Sequence, residues 1–338
     1  MSQDTVFVGL DYHQKSIQVC VLDTEGEVLV NRSCENSSES LRTLIERFDA
    51  RQVRVAIEAC CGAADLADEL VDQFGWCVSL AHPGYVSRMK QSPDKTDFGD
   101  ARLLADLLRV GYLPKVWLAP EYVRELRRLV RYREQLAATK KATKLRIRAL
   151  LREQRLRCPH ARPWTVVWQE WLRNTKDLSE QGRWVMDQHL TDLAEVQTRL
   201  ASVEARMRTW CGEDSLIAFL LTLPGIGFLT AVTIRAEIGR FDRFVSGKQL
   251  SRFCGLSPRN ASSGERQADA GMIKAGRPQL RVVLIEAAHR LARYEPRWAD
   301  MAKRLRRKGK PGSVVAAAIA NRWMRWLFHQ VQTPELAV

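Results

Sequence analysis

The sequence is short of acidic residues, and it lacks both paired cysteines and a long apolar run. Lys and Arg number 53 against 39 Asp and Glu, which gives a formal net charge of +14. A positive surplus of this size indicates a polyanionic partner, with nucleic acid as the first candidate and a membrane surface as the second. No apolar run approaches the roughly 20 residues that a membrane-spanning helix requires. We therefore expect no membrane partner.

Cysteine is present but in no chelating pattern. None of the eight cysteines forms a CxxC pair, and Cys60 and Cys61 are adjacent and could bind one tetrahedral ion only with strain. Scattered cysteines of this kind are mostly small buried hydrophobes. The first residues, MSQDTVFVGLDYH, have no basic region and no leader-like apolar stretch. We expect a cytoplasmic protein without structural zinc.

Strand and helix patterns alternate in the N-terminal part of the chain. The strand patterns occupy 5–10, 16–22, 27–31, 53–59 and 76–81, and the helical patterns between and after them occupy 38–48 and 63–74. The first three strands form a meander, and a short helix follows the fifth strand. This βββ-α-β-α-β-α order predicts an α/β domain of the ribonuclease H-like class, with crossover helices over a partly parallel sheet.

The rest of the chain is predicted to be mainly helical. A long basic helix is expected at 121–157, and the segment CPHARP breaks it. A heptad seam follows, formed by Leu193, Val196, Leu200, Val203, Met207 and Trp210. Such a seam either dimerises the chain as a coiled coil or packs inside it. We expect three parts: a ribonuclease H-like domain with the basic helix at 1–157, a coiled-coil segment at 158–212 and a C-terminal domain at 213–338.

Four acidic side chains fall where this fold would bring them together. Asp11 ends the first strand, Glu58 ends the fourth, and Asp97 and Asp100 open the helix after the fifth. Neighbouring strands direct the groups at their carboxyl ends into one crevice. Clustered carboxylates suit Mg²⁺ or Mn²⁺, and two such ions can bind the attacking and leaving oxygens of a phosphodiester.

Helix capping is the alternative for the two acids in TDFGDARLL. Asp97 is a good N-cap, and Asp100 is a good acid at the third position of a capping box. Asp11 could likewise cap a turn. Glu58 is harder to explain, because an acid that closes so apolar a strand is costly unless it is paired or metal-bound. The four residues together favour a metal site.

Several basic residues and one glycine turn are candidates for nucleic-acid contact. Clustered Arg and Lys along one helix neutralise phosphates. The turn in LPGIG resembles a helix-hairpin-helix element, whose N–H groups can hold a DNA phosphate. A dense positive patch, KRLRRKGKPG, precedes a final Trp-bearing helix. The named candidates are Arg127, Arg131, Lys140, Lys144, Arg148, Gly225, Gly227, Arg259, Lys274 and Arg277.

The polar loop RNASSGER offers a serine beside arginines. Such a serine could attack a phosphate while Arg binds the oxyanion, and a metal or a nearby base would activate the hydroxyl. Ser-Ser-Gly is also common turn material, so the loop alone leaves a plain structural role open.

Five motifs occur in one order: GLDYH, AIEAC, KTDFGDARLLADLL, LPGIG and FCGLSPRNASSGERQADAGMIKAGRPQLR. Together they resemble the transposases of the bacterial insertion sequence 110 family, which in turn resemble Piv-type DNA invertases, over nearly the whole chain. The resemblance implies a RuvC-like domain whose metal ligands are Asp11, Glu58, Asp97 and Asp100, a coiled coil and a C-terminal transposase domain. The family's serine nucleophile lies five residues after the Pro of GLxP. That position is Ser263, and Ser262 beside it is chemically equivalent.

The same resemblance implies partners. Members act on donor and target DNA, are guided by a structured non-coding bridge RNA, and assemble as homodimers and homotetramers in which one protomer's metal site completes another's serine site. We expect a nucleoid-associated recombinase that cuts and rejoins DNA through a covalent phosphoserine with Mg²⁺ or Mn²⁺. One alternative is a RuvC-like junction-resolving endonuclease that uses metal-activated water. Another is a non-catalytic scaffold, although a pure nucleic-acid binder gains nothing from negative charge in its groove.

Overall fold

The computed structural model describes residues 4–90, 96–158, 161–260, 269–273 and 276–331. The chain forms two compact units, Met1–Pro120 and Glu121–Val338. This division falls inside the first of the three parts expected from composition, and the three-part organisation stays a prediction. No helix in the described ranges is long and apolar enough to cross a membrane.

A six-stranded mixed sheet forms the centre of the first unit. Its strands are β1 (Thr5–Tyr12), β2 (Ser16–Leu22), β3 (Val28–Glu35), β4 (Gln52–Glu58), β5 (Cys77–Ala81) and β6 (Lys115–Val116). They lie in the order β3-β2-β1-β4-β5-β6. The β1–β3 meander is antiparallel, β4 and β5 continue parallel to β1, and β6 closes the edge antiparallel to β5. The predicted α/β class with a central mixed sheet is confirmed.

Helices cover both faces of this sheet. They are α1 (Ser38–Ile45), α2 (Ala63–Phe74), α3 (Pro83–Met89) and α4 (Asp97–Arg109), and a single 3₁₀ turn follows α1 at Glu46–Phe48. Strand alternation divides the core in two. Val6, Val8 and Leu10 of β1 pack under α1 and α2, whereas Phe7 lies on the face that α3 and α4 cover. The odd-numbered positions of β1, which include Asp11, therefore face α4.

The second unit is mainly helical. Its helices are α5 (Glu121–Glu153), α6 (Val166–Asn174), α7 (Glu180–Trp210), α8 (Ser215–Thr222), α9 (Phe228–Ile238), α10 (Gly247–Phe253), α11 (Pro278–Tyr294), α12 (Pro296–Arg307) and α13 (Gly312–Gln330). Two short antiparallel strands, β7 (Pro258–Asn260) and β8 (Asp269–Met272), form a hairpin between α10 and α11. The main core gathers around α13, where Trp323 is 1% exposed.

The heptad seam packs inside the chain. Long helices α5 and α7 run antiparallel, with Arg133 bonded to Glu204 near one end and Gln154 bonded to Ser179 near the other. Five of the six seam residues are buried in the cores that α5 shares, namely Leu193, Val196, Leu200, Val203 and Met207. Trp210 is 41% exposed and stacks on Tyr122. Burial of the seam supports the self-packing alternative, and a dimerising coiled coil stays an untested prediction.

Candidate metal centre and nucleic-acid contacts

Pairing of β1 with β4 places two acids side by side at the carboxyl ends of two central strands. Leu10 and Ile57 are paired in register, so Asp11 and Glu58 are the next residues on adjacent parallel strands. Leu10 and Ile57 belong to the core under α1 and α2. By alternation, Asp11 and Glu58 share the opposite face, toward α4.

A glycine lets α4 approach this face closely. A Cβ atom built on Gly9 would lie 1.9 Å from the carbonyl oxygen of Ala101 and 2.6 Å from the amide nitrogen of Ala105. Only glycine therefore fits where β1 crosses α4. Because Ala101 lies one residue after Asp100, this contact brings the start of α4 to the end of β1.

Capping of α4 differs from the sequence prediction. Thr96 is the N-cap, and its hydroxyl oxygen accepts a hydrogen bond from the Gly99 amide at 3.2 Å. The expectation that Asp97 caps the helix is wrong. With Thr96 as the N-cap, the third position of the helix is Gly99, so Asp100 does not occupy it either. Thr96 and Asp97 are both good caps, and the extended backbone of Thr96 decides between them. The Asp97 carboxylate is left available for other partners.

Asp11, His13 and Asp97 form a group with metal-ligand spacing. One ligand atom from each lies within 4.8 Å of the others. Nε2 of His13 is 3.5 Å from Oδ2 of Asp11 and 3.3 Å from Oδ2 of Asp97. Two carboxylates and an imidazole suit Mn²⁺ as well as Mg²⁺, because the nitrogen ligand broadens an otherwise oxygen-only donor set. The donor set therefore fits a divalent ion.

Sequence analysis missed His13, although a signal was present. The residue stands two positions after Asp11 in GLDYH, and period-two alternation carries that spacing to the same face of the sheet.

Two side-chain hydrogen bonds connect the β1–β3 meander to the first turn of α4. The Gln18 side chain donates to Oδ1 of Asn31 at 2.7 Å, and the Asn31 amide donates to the Phe98 carbonyl at 3.1 Å. Gln18 is also the register partner of Asp11. The same strands that place Asp11 therefore fix the backbone next to Asp97.

The other two predicted ligands stand apart from the close group. Asp100 forms an ion pair with Lys90 at 2.6 Å, in which the side chains are 15% and 25% exposed. Glu58 and Asp11 both lie close enough to the Cys60 thiol to affect its pKa. Burial is the main cause that raises the pKa of the Cys60 thiol, and the charges of Glu58 and Asp11 add to the increase. The structure thus groups two of the four acids with His13, and the full four-acid ligand set stays a prediction.

The serine loop can be located only by its flanks. Pro258 pairs with Met272 and Asn260 with Asp269 in the β7–β8 hairpin. Ser262, Ser263 and Lys274 lie outside the described residues. Arg259, on β7, is exposed.

Three of the basic candidates take part in internal contacts of the second unit. Nε of Arg127 donates to the Ala236 carbonyl at 2.6 Å, and burial lowers the pKa of this guanidinium. Arg131 lies 3.5 Å from the buried carboxylate of Glu237, and Arg277 lies 3.3 Å from the same oxygen. These contacts give the three arginines a structural role.

The remaining candidates are more accessible. Lys140, Lys144 and Arg148 line a shallow pocket on α5 beside Trp164, whose ring lies 4.4 Å from Nζ of Lys144. Gly225 has a positive φ of 76° and packs close to Arg290, whereas Gly227 begins α9 with open space around its Cβ position. The start of α9 is therefore sterically open at Gly227, and phosphate binding at this turn stays a prediction.

The mixed sheet and its acidic strand ends define a ribonuclease H-like domain joined to a helical unit. Residues 8–155 match a family model for the DEDD transposase domain of IS110, described as a transposase. Residues 217–303 match a second model, described as the transposase IS116/IS110/IS902 family. The two models together cover more than half of the chain, which belongs to the IS110 family of transposases. The chain is thus an enzyme that acts on DNA, and its DEDD-type domain indicates use of a divalent metal.

Curated relatives agree with this assignment. The chain is 24% identical to the transposase for insertion sequence element IS1111A of Coxiella burnetii, over 96% of this chain and 89% of the relative. It is 27% identical to a probable family 20 transposase of Pseudomonas aeruginosa, over 95% of each chain. A shorter match, 33% identical over 31% of this chain and 33% of the relative, is to the pilin gene-inverting protein of Moraxella bovis.

Proposed function

We propose that this transposase cuts and rejoins DNA through a covalent phosphoserine at Ser263, with a divalent ion, Mg²⁺ or Mn²⁺, held at the end of β1. The grouping of Asp11, His13 and Asp97 within 4.8 Å carries the proposal. Glu58 would complete the set from the adjacent strand. The Asp100 carboxylate is now paired with Lys90, so Asp100 would join the ligand set only once that ion pair breaks.

Serine attack accounts for rejoining without an external energy source. The Ser263 oxygen forms a bond to phosphorus and gives up its proton, and the leaving deoxyribose oxygen accepts a proton as its bond to phosphorus breaks. The phosphoserine keeps the energy of the phosphodiester until a new strand hydroxyl attacks and releases the serine. A bound divalent ion supplies Lewis acidity for the charge that develops on the phosphate oxygens. Arg259, exposed on β7, is suited to bind the same phosphate.

Guidance and assembly follow the family resemblance. A bridge RNA is compatible with the net charge of +14. Homodimers or homotetramers would allow the serine of one protomer to work with the acids of another. Sequencing the RNA that co-purifies with the protein tests guidance, because a single abundant structured species is expected and its absence would favour a protein-read invertase.

Two serine variants test the nucleophile. Incubated with matched DNA, guide RNA and Mg²⁺, Ser263→Ala is expected to trap no covalent protein–DNA adduct on a denaturing gel. Ser262→Ala is the matched control and should still form the adduct. Normal recombination by Ser263→Ala together with a dead Ser262→Ala would overturn the assignment.

A second candidate is a junction-resolving endonuclease of the RuvC kind. The observation that favours it is the acid group itself, which lies in the first unit and could position a water molecule without any serine. Free 5′-phosphate ends without a protein adduct would support this candidate over the phosphoserine.

A further inference from the structure

A cleft between α12 and α13 combines unpaired positive charge with indole surface. Arg297, Arg304, Arg322 and Arg325 line it together with Trp298 and Trp326, and its volume is about 570 Å³. Within the described parts of the chain, these four arginines make no ion pair with a carboxylate. No acidic side chain lines the cleft.

Other arginines of the second unit do have carboxylate partners. Elsewhere in the same unit, arginines are matched to carboxylates, as where Arg277 meets Glu134 and Glu237. Four like charges around one concavity repel each other, and an entering polyanion relieves that repulsion. Because DNA and RNA carry regularly spaced phosphates, they are the polyanions that match several arginines at once.

The two tryptophans of the cleft indicate which part of a nucleic acid would enter it. The Arg297 guanidinium lies 4.8 Å from the ring centre of Trp298 and 6.0 Å from that of Trp326. Trp298 is buried, whereas Trp326 is only half-buried and keeps accessible ring surface. Indole rings and guanidinium planes stack on unpaired bases, whose faces a duplex hides. The volume also lies in the range of about 300–1,000 Å³ that is typical of ligand pockets.

One arginine of the cleft also lies beside the hairpin of the second unit. Arg322 lines a second, mostly apolar pocket of about 470 Å³ with Pro258 and Met272, the paired end residues of β7 and β8. A strand that leaves the cleft past Arg322 would therefore reach the hairpin whose connecting residues include Ser263.

We propose that this cleft binds one unstacked nucleotide of a single-stranded nucleic acid, with its base against Trp326 and Arg297 and its flanking phosphates on Arg304, Arg322 and Arg325. The site goes beyond the proposed function, because neither the phosphoserine nor the metal group uses it. It would hold a melted strand or a strand end during exchange.

Binding without catalysis tests the proposal. Full-length protein in EDTA is titrated into labelled single-stranded DNA, single-stranded RNA and duplex DNA of about 12 nucleotides, with fluorescence anisotropy as the readout. EDTA prevents the metal-dependent steps, so failure of the phosphoserine proposal leaves this result unaffected. Trp326→Leu should weaken single-strand binding about tenfold, in line with the loss of one stacked base, and leave duplex binding nearly unchanged. The double variant Arg304→Gln/Arg322→Gln should lower the salt dependence, by about 0.7 in logarithmic slope per lost phosphate contact.

Matched controls separate this site from general charge and folding effects. Trp184, 63% exposed on α7, and Arg206, exposed on the same helix, are replaced as Trp184→Leu and Arg206→Gln. Trp326→Phe keeps an aromatic ring and should restore most of the binding, which a folding defect would not allow. Preference for DNA or for RNA identifies the strand that is held, and either supports the site. Equal losses in Trp184→Leu and Trp326→Leu, or equal losses for duplex and single strand, would overturn it.

Discussion

At the scale of single side chains, the imidazole of His13 lies between two carboxylates. Its Nε2 atom is within 3.5 Å of Asp11 and within 3.3 Å of Asp97. Aspartates alone offer only the oxygen ligands that Mg²⁺ prefers, whereas imidazole adds affinity for the later transition metals. As a ligand, His13 would therefore influence which ion is preferred, in addition to whether an ion binds.

Replacement of His13 separates these two effects. In His13→Ala we expect Mn²⁺ affinity to fall more than Mg²⁺ affinity, because the lost ligand is a nitrogen. Calorimetric titration of the full-length protein with each ion measures both. His289→Ala, at an exposed position on α11, is the control and should change neither. A ligand role for His13 is wrong if both ions bind the variant as they bind the unmodified chain.

At the scale of elements, the contact of β1 with α4 depends on the missing side chain of Gly9. Nothing in this contact can yield easily, because the atoms nearest the Cβ position are backbone atoms of Ala101 and Ala105. The first turn of α4 carries Asp97, so the same contact controls the distance from Asp97 to Asp11.

Gly9→Ala should therefore lose both stability and divalent-ion binding. We expect unfolding free energy to fall by about 1–3 kcal/mol, typical of overpacking, with loss of divalent-ion binding as α4 shifts. Denaturant unfolding and ion titration measure the two effects. Gly84→Ala in α3 is the matched control, because its Cβ position meets only the His82 side chain at 3.4 Å and alanine favours a helix. Wild-type stability in Gly9→Ala would show that β1 and α4 have room for a methyl group.

Much of this geometry could be predicted from local patterns, and the rest depends on contacts distant in sequence. The strand patterns end close to Asp11 and Glu58, and the ribonuclease H-like order makes the first and fourth strands neighbours, as β1 and β4 are. The competition between Thr96 and Asp97 for the cap depends on the backbone angles of one residue. The Lys90–Asp100 ion pair follows from how α3 and α4 are placed, which composition does not encode. Heptad spacing likewise predicts that α7 has a partner helix but does not say that the partner is α5.

At the scale of the whole molecule, the surplus of positive charge has opposite consequences in two parts of the second unit. The arginines of the cleft between α12 and α13 have no carboxylate partner in the described parts of the chain. At the interface of α5, α9 and α11, by contrast, carboxylates pair with arginines. Burial lowers the pKa of Arg127 and, to about 10, that of Arg243. Burial also raises the pKa of the Glu134 carboxyl, against the opposing effect of Arg277. Each charge in this interface is therefore costly without its partners.

Glu237 is the carboxylate on which this balance depends most. It is 5% exposed, and Arg131 and Arg277 approach the same oxygen. Glu237→Gln removes the negative charge and leaves both guanidinium groups without it, so we expect a loss of about 3 kcal/mol in unfolding free energy, near the low end for breaking a buried pair because Arg131 is half-exposed.

Amide hydrogen exchange along α5, α9 and α11, together with denaturant unfolding, measures the effect of Glu237→Gln. The control is Glu204→Gln, which removes a partner of Arg133 from a pair with both side chains more than a quarter exposed. That change should cost less than about 1 kcal/mol. Equal losses in the two variants would mean that solvent already screens the Glu237 site. Arg131 on α5 would then be available to contact nucleic acid, as its place in the basic sequence suggests.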